Sequence, residues 1–196
     1  MRFSIFTLFV FVLFTTNLSG QNNDLNVWTM AGEFKSTLVW FIHYGDKIVV
    51  DGRYNYDADK TAGFCLGKKI GKDSLAFVPE VCGYYGRTKG YGPELIMYSE
   101  TNHLLVFSQT QFVKGAGNKS FTYDWTDVLF VVNKHLTVGA GGQAFKEISG
   151  DPTTVDIGPQ TKLSFGKIFF RVWPKWATDP ANRGQKSLWM GVGYAW

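Results

Sequence analysis

The sequence has 196 residues, enough for one domain of ordinary size. It is 17% aromatic, contains 22 Gly and only 18% charged residues, and its mean hydropathy of -0.08 fits apolar and polar positions that alternate rather than cluster. The formal charge of +4, with no basic stripe interleaved with aromatics, argues against a nucleic-acid partner.

The chain opens Met1-Arg2, followed by an apolar run from Phe3 to Phe14 and a polar stretch ending Ser19-Gly20. One positive charge, a short apolar core and a small residue at the cut predict a cleaved secretory signal over residues 1–20. The run is shorter than the roughly 20 residues that a spanning helix needs. No cysteine stands at the cut, which disfavours a lipoprotein. Residues 21–196 then form one domain, and no later segment is apolar for long enough to be a spanning helix.

Helical periodicity is absent from the mature chain. Val, Ile, Phe, Tyr, Thr and Gly recur in short alternating runs separated by turn residues, which predicts strands throughout. In chain order these are 25–33, 37–43, 47–57, 61–70, 75–86, 93–101, 104–113, 120–132, 136–146, 155–165, 168–176 and 187–196. An even count of about twelve predicts an all-β fold: a closed, antiparallel, up-and-down transmembrane barrel, with ten or eight strands as alternatives. The connections support it. Tyr44-Gly45-Asp46, Gly71–Ser74, Asn102-His103, Asn133–His135 and Gly166-Lys167 are tight, as periplasmic turns should be. Arg87–Gly92, Lys114–Lys119, Glu147–Thr154 and Ala177–Lys186 are longer and should face outward, whereas Phe34–Ser36 and Ala58–Lys60 are short and weaken the pattern.

Registers can be read at several hairpins. Pairing Phe165 with Ile168 puts Leu163 opposite Phe170 and Thr161 opposite Val172 on one face, and Lys162 opposite Arg171 on the other. A one-residue slip would place those charges in hydrocarbon, at about 2–4 kcal/mol each near the midplane. Around Asp73-Ser74, Phe64 pairs with Gly83, Gly67 with Glu80, and Cys65 lands opposite Cys82. Two cysteines in an exported chain usually form a disulfide, the alternative being two small neighbouring thiols. A three-residue turn at Asn133–His135 sends Asp127 inward and Val128, Phe130 and Val132 outward. Pro79, Pro159 and Pro174 fall inside strands of a barrel that offers no free edge. Pro79 reads as a bulge, and Pro159 and Pro174 as opposite one another near the outer rim, where pairing ends. Leu38–His43 is apolar on both faces.

At the end of the chain Leu188, Met190, Val192, Tyr194 and Trp196 make one unbroken apolar face. This resembles the carboxy-terminal insertion signal of bacterial outer-membrane β-barrel proteins, with Trp in place of the usual Phe. The resemblance implies an outer-membrane location, contact with its lipid, and recognition by the barrel-assembly machinery. The strand count is similar to that of small twelve-stranded channels for acidic oligosaccharides or nucleosides, in architecture alone.

The inward face should carry Arg53, Lys162, Arg171 and Lys175, opposed by Asp51, Glu80, Glu94 and Asp127. This set predicts a passive diffusion channel in which the strip Lys162–Arg171–Lys175 favours small anionic solutes. A non-conducting barrel presenting its outward loops is the first alternative, and a soluble periplasmic barrel binding a ligand inside is the second. An enzyme is not expected. The barrel deacylases of lipid A carry His-x-Ser in a strand, and none of His43, His103 and His135 is followed two residues later by Ser. No cofactor or metal site is expected either, because the histidines are scattered and no Cys/His ligand spacing occurs.

Overall fold

The computed structural model describes residues 22–31, 36–44, 48–55, 60–72, 74–116, 120–148, 150, 153–178, 184 and 186–195. The signal over residues 1–20 and the terminal Trp196 lie outside the described residues. The strands are β1 (Asn22–Ala31), β2 (Ser36–Tyr44), β3 (Val49–Asn55), β4 (Thr61–Gly67), β5 (Ile70–Lys72), β6 (Leu75–Tyr85) and β7 (Gly90–Glu100). They continue as β8 (Leu104–Gly115), β9 (Phe121–Val131), β10 (Leu136–Glu147), β11 (Thr154–Phe165), β12 (Ile168–Ala177) and β13 (Lys186–Ala195). Chain neighbours pair antiparallel except β4 with β5, which both pair with β6, and β1 pairs with β13, so the sheet closes on itself.

β4 and β5 are one rung of this ring. Gly67 faces Glu80 and Ile70 faces Phe77, so the register is the same on both sides of the gap. The gap lies opposite Pro79, whose carbonyl accepts from the Lys68 N–H at 3.3 Å but whose ring nitrogen returns no hydrogen bond. With no extra residue on either strand, Pro79 interrupts the ladder without forming the anticipated bulge. Counting β4 and β5 together gives a barrel of twelve strands.

The registers follow the alternation. Leu163 faces Phe170 and Lys162 faces Arg171, Cys65 faces Cys82, and Thr137 faces Val131 across the turn that turns Asp127 inward. On β11 and β12 the ladder skips the positions around Pro159 and Pro174 and resumes with Ile157 opposite Trp176. Pairing therefore continues beyond the prolines rather than ending there, because register is kept by the strands on either side.

The outer surface is apolar. Phe64, Leu66, Val81, Leu95, Val128, Phe130, Leu163, Phe170 and Val192 are exposed on it, with Tyr85, Tyr91 and Trp176 towards the long connections. Leu188, Met190 and Tyr194 of the last strand are exposed on the same surface. Large apolar side chains outside, with buried Asp51, Glu80, Glu94, Asp127 and Lys175 inside, reverse the arrangement of a soluble barrel. A hydrocarbon solvent explains that inversion.

Candidate functional site in the barrel lumen

The lumen has two unlike halves. Towards the short turns, Ile42, Val49, Ala76, Val78, Ile96 and Leu129 are buried and fill the space with aliphatic side chains. Gly193 belongs to this layer: a Cβ there would fall inside the ring of Phe169, so the bare backbone lets that ring lie against the wall. Above this layer stand four tryptophans, Trp40, Trp125, Trp173 and Trp189, with Phe107 among them. Trp125 stacks on Trp173 at 5.7 Å and 22°, and meets Trp189 at 6.4 Å. Trp40 meets Phe107 at 5.5 Å and Trp125 at 6.3 Å. β2 and β9 stand six strands apart round the ring in either direction, so the Trp40–Trp125 contact spans the full diameter. The aromatics form a septum.

Towards the long connections the lumen opens into a cavity of about 590 Å³. Its floor is the upper side of Trp40, Trp125 and Trp189 together with Arg53. Tyr84, Gln109, Gln111, Tyr123 and Gln143 supply hydrogen-bonding walls, and Arg87, Lys89 and Glu147 stand at its mouth.

Three charged groups hold the septum. Asp51 accepts from Trp40 Nε1 at 2.8 Å and from Arg53 at 2.6 and 2.9 Å, so one carboxylate fixes both the ring and the guanidinium. Arg53 also bonds Glu94 and lies 4.0 Å from Glu80. On the other wall Asp127 accepts from Trp125 Nε1 at 2.8 Å, from Gln160 at 3.1 Å and from Arg171 at 3.3 Å. The third group centres on Lys175, 2% exposed, which bonds Gln143 at 2.7 Å and Asp156 at 3.0 Å. Its ammonium also sits 4.7 Å from the centre of Trp173 and 4.2 Å from that of Trp189.

The strip Lys162–Arg171–Lys175 is thus not a row of cations facing water. Lys175 is sealed between two indoles and a carboxylate, and Arg171 belongs to Asp127. Lys162 and Arg171 both lie over Phe169, at 4.7 and 5.4 Å. Arg53, Asp51 and Glu80 come together on the opposite wall, where Cys65 and Cys82 are joined by a disulfide. Reading the strands for charge alone leaves out the tryptophans, although alternation puts Trp40, Trp125, Trp173 and Trp189 on the same face as the charges. The doubly apolar stretch Leu38–His43 carried that signal, since its inward half has to fill a lumen.

No protein family matches the sequence, and no curated protein matches it. Solved structures share the fold. The KdgM porin superposes with a TM-score of 0.66 at 11% identity, covering 87% of this chain and 98% of the porin. The NanC porin gives 0.66 at 10% identity, over 88% of this chain and 98% of NanC. The outer membrane protein Omp33 of Acinetobacter baumannii gives 0.53 at 10% identity, over 90% and 98% of the two chains. The fold of this chain is that of bacterial outer-membrane β-barrels.

Proposed function

We propose that this chain is a narrow channel of the bacterial outer membrane, whose vestibule collects small solutes from outside and whose aromatic septum limits their passage. The observation that carries the reading is the cavity of about 590 Å³ that opens at the long connections and ends on side chains of the wall itself. A floor made of side-chain rings can move aside by rotamer changes, whereas a backbone plug has to be expelled. The porin folds of KdgM and NanC support a channel in this architecture. Among the described residues Arg87 and Lys89 outnumber Glu147 at the mouth, while Arg53 on the floor is balanced by Asp51 and Glu94. The bias towards anions therefore rests on the mouth.

One observation favours a second reading, a barrel that conducts nothing and offers its outward side to partners: the septum spans the whole diameter. Planar-bilayer recording under a KCl gradient separates the two. A channel of this kind gives small conductance steps with anion preference, and Arg87→Glu combined with Lys89→Glu moves the reversal potential towards cation preference. Absence of steps in a bilayer that holds the folded, heat-modifiable protein overturns the channel and leaves the second reading.

A further inference from the structure

Directly below the vestibule wall, Cys65, Glu80, Cys82 and Glu94 converge, each offering a ligand atom within 4.8 Å of the others. The residues come from β4, β6 and β7, three adjacent strands of the ring, which is why the spacing of the sequence conceals them. Glu80 is 4% exposed, and neither of its carboxylate oxygens meets a hydrogen-bond donor among the described residues. A buried carboxylate without donors is costly to keep. Glu94 has one oxygen on Arg53 and the other 3.7 Å from Cys82 Sγ, and it also accepts from the Gln109 side chain. Among the described residues Asp51, Glu80 and Glu94 share one ion-pair partner, Arg53, so the pocket carries more acid than base.

We infer that the Cys65–Cys82 disulfide masks a binding site for a thiophilic divalent cation such as Zn²⁺, uncovered when the bond is reduced. A dithiol reductant transfers two electrons and two protons to the S–S bond and becomes a disulfide itself, leaving Cys65 and Cys82 as thiols. Zn²⁺ then displaces both thiol protons and takes two thiolates and one oxygen each from Glu80 and Glu94. The two positive charges of the metal offset the two new thiolates, so the pocket keeps the net charge it has around the disulfide. Bonds of about 2.3 Å to sulfur and 2.0–2.2 Å to oxygen place tetrahedral ligands somewhat under 4 Å apart. The carboxylate oxygens already lie within 4.8 Å of the sulfurs, the two sulfurs move apart once their bond is broken, and Glu80 has no hydrogen bond to give up. Tyr84 lines the vestibule and its hydroxyl lies 3.9 Å from Cys65 Sγ, so the pocket is one side chain away from the cavity.

The test uses the full barrel in detergent, with Co²⁺ as the probe because thiolate ligation gives it a near-ultraviolet charge-transfer band. After phosphine reduction, the wild type shows that band at one equivalent of Co²⁺, and Zn²⁺ bleaches it; the oxidised barrel shows none. Cys65→Ser abolishes the band, while Glu80→Gln leaves the thiols and the heat-modifiable fold intact but weakens Co²⁺ by about tenfold or more. Three results overturn the inference: a folded barrel whose disulfide cannot be reduced, a reduced wild type without the band, or a band whose affinity ignores Glu80→Gln.

Discussion

The two halves of the lumen are built from the same strands, yet one is packed like a protein core and the other holds a cavity. In the half towards the short turns, aliphatic inward side chains adjoin one another, as at Val49, Val78 and Ile96, with the Phe169 ring among them. In the other half Tyr, Gln and charged side chains share the wall with Leu38, Phe121 and Phe145 and leave space between them. The difference shows that strand number alone does not set the bore of a barrel this small. Side-chain volume at the inward positions does. The tryptophan layer is the boundary, and the ring nitrogens of Trp40 and Trp125 are held by Asp51 and Asp127.

The sharpest way to break this arrangement is to remove a carboxylate that holds the septum. Asp127→Leu leaves Arg171 without its buried partner and takes the acceptor from Trp125 and Gln160. Loss of about 3–5 kcal/mol follows, measured as a lower urea midpoint for the barrel in lipid vesicles. On the outside, Phe170→Arg puts a charge in the apolar band beside Leu163 and costs about 2–4 kcal/mol in the same assay. Converting Arg171 to Phe would not have that signature, because its side chain points inward; an outward penalty at 171 instead of 170 would mean the register is wrong. A smaller effect is expected at Gly193→Val, where the new side chain pushes the Phe169 ring into the packed half, at about 1–3 kcal/mol by the same midpoint.

Much of the fold was legible because alternation and tight turns constrain each other. Placing Phe165 against Ile168 left a single choice of which residues meet lipid, and likewise for the hairpin that brings Cys65 to Cys82. The even strand count and the inward turn of Asp127 follow from the same two rules. Contacts across the bore were not legible. Trp40 and Trp125 lie on opposite walls, and nothing local in either strand says how far an inward indole reaches. Lys175 was readable as inward but not as sealed, because its partners Gln143, Asp156, Trp173 and Trp189 sit on four strands. Charge was overvalued at the sequence level for this reason: a lysine inside a barrel reads as a selectivity element until the aromatics around it are placed.

The central claim is that the septum, jointly with the aliphatic layer packed beneath it, and not the strand ring, limits passage. Single-channel recording of Trp125→Ala beside the wild type tests it most directly, since Trp125 touches Trp40, Phe107, Trp173 and Trp189 together. The account predicts a conductance several-fold above that of the wild type in a barrel that still folds and migrates heat-modifiably. An unchanged conductance in the folded variant would contradict it, and would place the restriction in the aliphatic layer alone.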